Sequence, residues 1–145
     1  MLLRICYDRR VGHGMESVTM IPANTMILFY DGNVMTNVEA HEQDHGNTSH
    51  YKTIKGTGCT LDGSWNAVLG NGVTPEIGKI YDVPCNLMSL TNSSQGYKAP
   101  NCEVFYDDKD SRKYKNGVWL NTTAWLVTTQ DIPPFEELIW NYTVR

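Results

Sequence analysis

Apolar residues in this chain come in short runs that stop at Gly, Pro or Asn, which predicts strands joined by tight turns rather than long amphipathic helices. Residues 25–30 (TMILFY) are dense in strand formers and lead into Asp31-Gly32, a turn signal. Residues 18–21 form a shorter run that ends at Pro22. Residues 51–54 and 59–61 flank Gly56-Thr57-Gly58 and predict a hairpin, with Asp62-Gly63 closing the segment. Residues 103–106, 124–128 and 138–140 are further strands. Residues 114–115 and 118–120 flank Asn116-Gly117, the strongest two-residue hairpin signal in the chain. Helical patterning is confined to two short stretches, a polar one at 37–44 and an apolar one of about two turns at 85–90. Residues 65–83 carry Gly70, Gly72, Pro75 and Gly78 and predict a long loop or insertion.

One internal echo stands out. Met20-Ile21-Pro22-Ala23-Asn24-Thr25 is similar to Asp131-Ile132-Pro133-Pro134-Phe135-Glu136, each an Ile-Pro turn entering an apolar strand. Two such units are too few for a stacked repeat and predict two similar corners of one β-fold.

Composition narrows the class. A chain of 145 residues predicts a single domain, 1–145, large enough to bury a core without disulfide or metal staples. With 41% hydrophobic and 19% charged residues it is neither a disordered chain nor a coiled coil, and 12 Gly with 6 Pro support a mainly β fold. The net charge of −4 and the missing basic stripe argue against direct nucleic-acid binding and favour a basic partner. No apolar run approaches the roughly 18 residues of a membrane span. The start MLLRICYDRR lacks a long apolar core, so a secretory signal is not expected and an intracellular setting, the nucleus included, is. Cys6, Cys59, Cys85 and Cys102 form no C-x-x-C pair, a poor pattern for zinc; buried reduced thiols and two disulfides are the alternatives. The N-x-S/T sequons at Asn47, Asn92, Asn121 and Asn141 read as coincidence in an Asn- and Thr-rich chain, or as glycan sites if the chain is a secreted β-domain.

Candidate chemistry is scattered. Gly12-His13-Gly14 allows either a plain turn or a close backbone approach to a ligand, and no helix or third Gly follows to make it a dinucleotide fingerprint. His41, His45 and His50 share a polar segment whose spacing fits no metal motif. No G-x-S-x-G supports a hydrolase triad. Asn86-Leu87-Met88-Ser89-Leu90-Thr91-Asn92-Ser93-Ser94 runs from an apolar turn into small polar residues, which by itself is a capped helix. Pro100-Asn101-Cys102-Glu103-Val104 is a turn entering a strand, and Leu138-Ile139-Trp140-Asn141-Tyr142 is a terminal aromatic strand suited to core packing.

Taken in order, these pieces resemble the SET domain family of protein lysine methyltransferases across nearly the whole chain. Gly12-His13-Gly14, Met20 to Thr25 and Phe29-Tyr30-Asp31-Gly32 are similar to the family's G-x-G…D-I-P-x-G-T…E-Y-x-G-E. Tyr51 followed by Leu61-Asp62-Gly63-Ser64 resembles Y-x-F…I-D-A/G-x, and Asn86 to Ser94 resembles G-N-x-A-R-F-I-N-H-S. Pro100-Asn101-Cys102-Glu103-Val104 matches P-N-C-x-V, and Gln130 to Leu138 with Tyr142 matches R-D-I-x-x-G-E-E-L-T-Y-D-Y.

The resemblance implies a fold of several small sheets with a C-terminal pseudoknot, in which the chain's end passes beneath the loop after Asn92. It implies S-adenosylmethionine as methyl donor and a basic protein or peptide, such as a histone tail, as substrate. The Gly12-His13-Gly14 backbone and Asn92 would hold the donor's methionine part, the Asn92-Ser93 backbone its adenine, Tyr142 would be catalytic, and Tyr51 and Trp140 would line the lysine channel. No metal is implied. This chain has Asn92-Ser93-Ser94 where the family has N-H-S, Phe135 where it has a turn Gly, and Trp140 where it has Phe or Tyr, which predicts a narrow channel and monomethylation. No Cys-rich segment follows Tyr142, so a last channel wall is expected from the 65–83 or 107–119 insertions or from the second subunit of a homodimer. In this it resembles the stand-alone viral members. A SET-like binding module without catalysis is the alternative inside the family.

Overall fold

The computed structural model describes residues 1–43 and 50–142. Its framework is a set of small sheets. β1 (Leu2–Asp8) pairs antiparallel with β2 (Gly12–Ser17) and with β7 (Ile80–Asp82). β12 (Thr123–Thr128) lies between β3 (Met26–Phe29) and β9 (Cys102–Asp107). β6 (Cys59–Asp62) lies between β4 (Asn33–Thr36) and β5 (Tyr51–Ile54). Two-residue ladders complete it: β10 (Arg112–Lys113) with β11 (Trp119–Leu120), and β8 (Asn92–Ser93) with β13 (Ile139–Trp140). The core sits where the sheets meet and contains Leu3, Ile5, Met15, Leu28, Leu61, Leu126 and Leu138, all with essentially no exposure. The described helices are α1 (Asn37–Gln43), α2 (Trp65–Val68) and one 3-10 turn, Met88–Leu90, and none is long and apolar enough to cross a membrane.

Strand patterning predicted most of this framework, and the differences have local causes. Residues 18–21 are not a strand; only Ile21 pairs, and its partner is Ile132. The two Ile-Pro corners therefore bond to each other, Ile21 N–H to Ile132 O at 2.9 Å and Ile132 N–H to Ile21 O at 2.7 Å, with both side chains fully buried. Each corner then places one residue in the left-handed region, Asn24 at φ 60° and Phe135 at φ 66°. Asn tolerates this conformation, whereas Phe135 carries a backbone cost of about 1–2 kcal/mol. The Arg4 guanidinium lies 4.9 Å from the exposed Phe135 ring and partly offsets it.

The expected helix at 85–90 shrinks to a single 3-10 turn. Cys85 and Leu87 use their backbones to bridge Leu28 and Tyr30, which leaves too few residues for an α-turn. Residues 65–83, expected as loop, contain α2 and β7. Strands β1, β2 and β4 were not apparent in the sequence because their edges alternate apolar residues with Arg, Glu, Asn and Gly. The polar helix lies at Asn37–Gln43, and Asp44, His45 and Asn47 fall outside the described residues. All four cysteines are free thiols. Burial pushes Cys6 and Cys102 up to about 12 and Cys85 up to about 11, which makes them packing residues rather than nucleophiles.

The chain's end is threaded between two earlier segments. On one side, Ser17 N–H bonds to Glu136 O at 2.9 Å and Leu138 N–H to Met15 O at 2.8 Å. On the other, β13 runs parallel to β8, with Asn92 opposite Ile139 and Ser93 opposite Trp140. Asn101 fastens the thread: its Nδ2 donates to Glu137 O at 2.8 Å, its Oδ1 accepts from Ile139 N–H at 2.8 Å, and its own N–H donates to Ile139 O at 3.0 Å. The side chain is buried and stands in for a missing strand edge. Replacing Asn101 with Ala leaves one carbonyl and one N–H unpaired in the interior, each worth about 1–3 kcal/mol. Urea unfolding of Asn101→Ala is therefore expected to show a loss of about 2–4 kcal/mol with an unchanged denaturant slope.

Candidate active site

The threading brings β2, the 3-10 turn and β8 around one cleft of about 600 Å³ that Gly12, His13, Trp65, Asn92, Ser93 and Tyr142 help to line. Residues from both ends of the chain and its middle thus meet at one place. One wall is aromatic: the His13 ring contacts Tyr7 and Trp65 edge-on, with centroids 5.2 Å apart in each pair. His50 and Ser89 also line the cleft, and His50 Nδ1 and Ser89 Oγ are buried there without a hydrogen-bond partner. Burial lowers the His50 pKa, so the ring is neutral near pH 7. A cleft with aromatic rings on one wall and unpaired polar atoms fits a bound molecule with both an apolar part and several hydrogen-bonding groups.

Gly14 does not line the cleft but supports its floor. A Cβ there would lie 2.5 Å from Glu137 Oε2 and 2.7 Å from Asn92 Nδ2. Those two atoms are bonded to each other at 2.7 Å, and Glu137 also accepts from Tyr97 OH and, at 3.3 Å, from Lys98 Nζ. Glu137 is almost fully buried, so this group of donors fixes Asn92 against the threaded segment. Glu137 follows from the family's E-E-L pattern, but its role as a hub is visible only once Gly14, Asn92 and Tyr97 are brought together.

Tyr142 is fixed from two directions. Its hydroxyl donates to Thr91 O, and its ring lies 4.5 Å from the Trp140 ring. Trp140 Nε1 donates to Thr91 Oγ1 at 2.6 Å, so Thr91 orients both aromatics. Burial, and then the negative charge of Glu137, push the Tyr142 phenol up to about 12. It is a neutral hydroxyl at every pH where the protein would work.

Tyr142 also lines a second pocket, of about 290 Å³, with Tyr51, Lys52, Thr53, Lys55 and Tyr106. Lys52 alternates with Ile54 on the buried face of β5, and its ammonium donates to Tyr106 OH. That nitrogen is 4.9 Å from the Tyr106 ring centre and 5.9 Å from that of Trp140. Tyr51 is on the other, less buried face of β5. Trp140 faces a third cavity of about 320 Å³ with Val104 and Asn141. Sequence reasoning missed Tyr7, Trp65, Lys52 and Tyr106; for Lys52 the period-two burial of β5 was the available signal. Among the described residues no group of His, Cys, Asp or Glu is arranged to hold a metal.

The SET domain family model matches residues 12–143, and the chain belongs to that family. No curated protein matches it. Among solved structures, CpSET8 from Cryptosporidium has the same fold, with a TM-score of 0.61 and 16% identity over 97% of this chain and 57% of that one. A chain of apo ctPRC2 with mutations in Ezh2 gives a TM-score of 0.60 and 17% identity over 97% of this chain and 15% of that one. The chain therefore spans only part of either protein.

The packing at Gly14 gives a direct test. Gly14→Ala is expected to push Asn92 and Glu137 apart and weaken binding of the family's methyl donor at least about tenfold, the loss of one charge-assisted hydrogen bond. Titration calorimetry with S-adenosylmethionine measures it.

Proposed function

We propose that this protein is an S-adenosylmethionine-dependent protein lysine methyltransferase. The observation that carries the reading is that Tyr142 belongs to two pockets, one on the side of Gly12 and Ser93 and one on the side of Tyr51 and Tyr106. Methyl transfer to an amine is an in-line displacement, so donor and acceptor must approach from opposite sides of one point. A residue shared by two pockets marks such a point. Family membership supports the same reading.

Bound S-adenosylmethionine supplies a methyl group on a sulfonium, already electrophilic. The chain's own task is to hold, orient and dry. The Gly12-His13 backbone and the Asn92 oxygen would take the methionine part, with Asn92 Nδ2 already committed to Glu137. The Asn92-Ser93 backbone would meet the adenine, so Ser93 in the family's His position leaves that contact intact. His50 Nδ1 and Ser89 Oγ are further polar groups in need of partners. Orientation of two reactants is worth roughly 7–11 kcal/mol of barrier. A neutral Tyr142 hydroxyl, its proton held by Thr91 O, offers lone pairs to the polarised methyl C–H groups.

The substrate is a lysine side chain of a protein or peptide, for which a net charge of −4 favours a basic chain such as a histone tail. A lysine amine, with an unperturbed pKa of about 10.4, must lose its proton before attack. Aromatic surroundings disfavour the ammonium and assist that loss. The rate should therefore rise with pH as the lysine deprotonates, while Tyr142, pushed up to about 12, contributes no limb below pH 10. Trp140 lines neither of these two pockets, but it packs against Tyr142 and is fixed by Thr91, so its bulk beside Tyr142 would restrict the turning of a methylated amine for a second transfer.

Tyr142→Phe keeps the ring and removes the hydroxyl. It is expected to lower methyl transfer by about 10²-fold, the effect of losing alignment at the reacting atoms, while donor binding and the shape of the pH profile stay unchanged. Undiminished transfer in this variant overturns the role of Tyr142, and donor binding without transfer to any peptide indicates a binding module instead. Mass spectrometry of the product is expected to show mainly monomethyl-lysine; mainly trimethyl product contradicts the narrow channel at Trp140.

A further inference from the structure

The geometry points to His50 and Ser89 as the pair that distinguishes S-adenosylmethionine from S-adenosylhomocysteine, the product left when its methyl group has gone. This deepens the methyltransferase reading and rests on it. His50 Nδ1 and Ser89 Oγ are buried at the cleft without a hydrogen-bond partner, and Ser89 as a whole is only 7% exposed. Both are fixed around Gly63 and Tyr30. His50 O accepts from Gly63 N–H at 2.7 Å and from Tyr30 OH at 2.6 Å. A Cβ on Gly63 would lie 2.6 Å from Ser89 Cβ and 2.7 Å from Tyr30 Cε1, so only glycine lets these groups close up. They stand at the Tyr142 end of the cleft. Burial, and then the nearness of Tyr142 and Asp62, push the Tyr30 phenol up. Tyr51, the residue after His50, lines the pocket on the other side of Tyr142. Ser89 precedes Thr91 by two residues, and Thr91 O accepts from Tyr142 OH.

The two ligands differ at sulfur, which is a positive sulfonium in the donor and a neutral thioether in the product. The lone pairs of a neutral imidazole and of a hydroxyl oxygen, held in a partly desolvated cleft, favour the cation. A protonated His50 does the reverse, as a like charge beside the sulfonium. Asp62 is the charged group that acts on His50, and it favours protonation, but burial outweighs it and lowers the His50 pKa. The other titratable groups among the described residues of the cleft are Tyr7, His13 and Tyr142. As pH falls through the lowered His50 value, the imidazole gains its charge and donor affinity falls with it. Affinity for the uncharged sulfur of the product changes less.

Calorimetric titration of the intact protein with S-adenosylmethionine and with S-adenosylhomocysteine tests this without any turnover. From pH 7 to pH 5 the ratio of donor to product affinity is expected to fall about tenfold, the effect of a modest like-charge contact. Ser89→Ala is expected to lower the ratio about three- to tenfold at pH 7, the loss of one hydrogen-bonding group. His50→Gln removes the titration and is expected to flatten the pH dependence, whereas His13→Gln is expected to keep it. The imidazole resonances of the wild type give a second reading that depends on no variant's folding: the donor is expected to lower the His50 pKa further than the product does. A ratio unchanged by pH overturns the inference, as does a pH dependence that survives His50→Gln or a His50 titration that neither ligand moves; each of these leaves the methyltransferase reading standing. Binding of neither ligand at any pH removes the methyltransferase reading and this inference with it.

Discussion

The threaded C-terminal segment, fastened by Asn101, is the constraint on which the rest of the molecule depends. One buried amide satisfies Glu137 O and Ile139 N–H, while the Asn101 backbone bonds back to Ile139 O. Because those groups lie in the interior, the arrangement is nearly all-or-none: a partly docked strand would strand polar atoms that water cannot reach. Docking of β13 also sets β8 opposite it, and so sets Asn92 and Ser93. The cleft between Gly12 and Ser93, the Glu137 hub and the position of Tyr142 all follow from this single passage of the chain.

The chemistry of the site follows from burial more than from charge. Burial first, and then the negative charge of Glu137, push the Tyr142 phenol up to about 12, while its hydroxyl donates to Thr91 O. Thr91 serves Tyr142 through its backbone and Trp140 through its hydroxyl, so the residue before Asn92 fixes both aromatic side chains. Glu137, a buried carboxylate joined to both Asn92 and Lys98, braces the floor of the cleft and is not among the lining residues of the Tyr51 pocket. The proposed methyl transfer needs little acid–base machinery; it needs two approaches held in line.

Much of the fold was legible in the sequence because strand formers, Gly turns and the Asn116-Gly117 hairpin are local signals. The Ile-Pro echo was legible as two similar corners, but not as two corners bonded to each other, since pairing between residues 21 and 132 is a long-range fact. β1 and β2 were missed because they contain no dense run of strand formers: Arg4 and Glu16 occupy the outward positions between buried neighbours, where the sheet uses them as a cross-strand ion pair at 2.5 Å. For the site, motif order placed Gly12, His13, Asn92, Ser93 and Tyr142, which line one cleft. It read Gly14 as a ligand contact, and the packing adds a steric reason for glycine there, because a Cβ would strike Asn92 and Glu137. It was silent on Lys52, because a lysine in a polar hairpin reads as solvated until the strand's buried face is known.

The claim that one threading event builds the donor site from three distant segments is tested most directly by hydrogen exchange, read by mass spectrometry with and without S-adenosylmethionine. The donor is expected to increase protection together at residues 12–14, 91–94 and 138–142, with the rest of the chain little changed. Protection confined to one of these segments, or none at saturating donor, would contradict it.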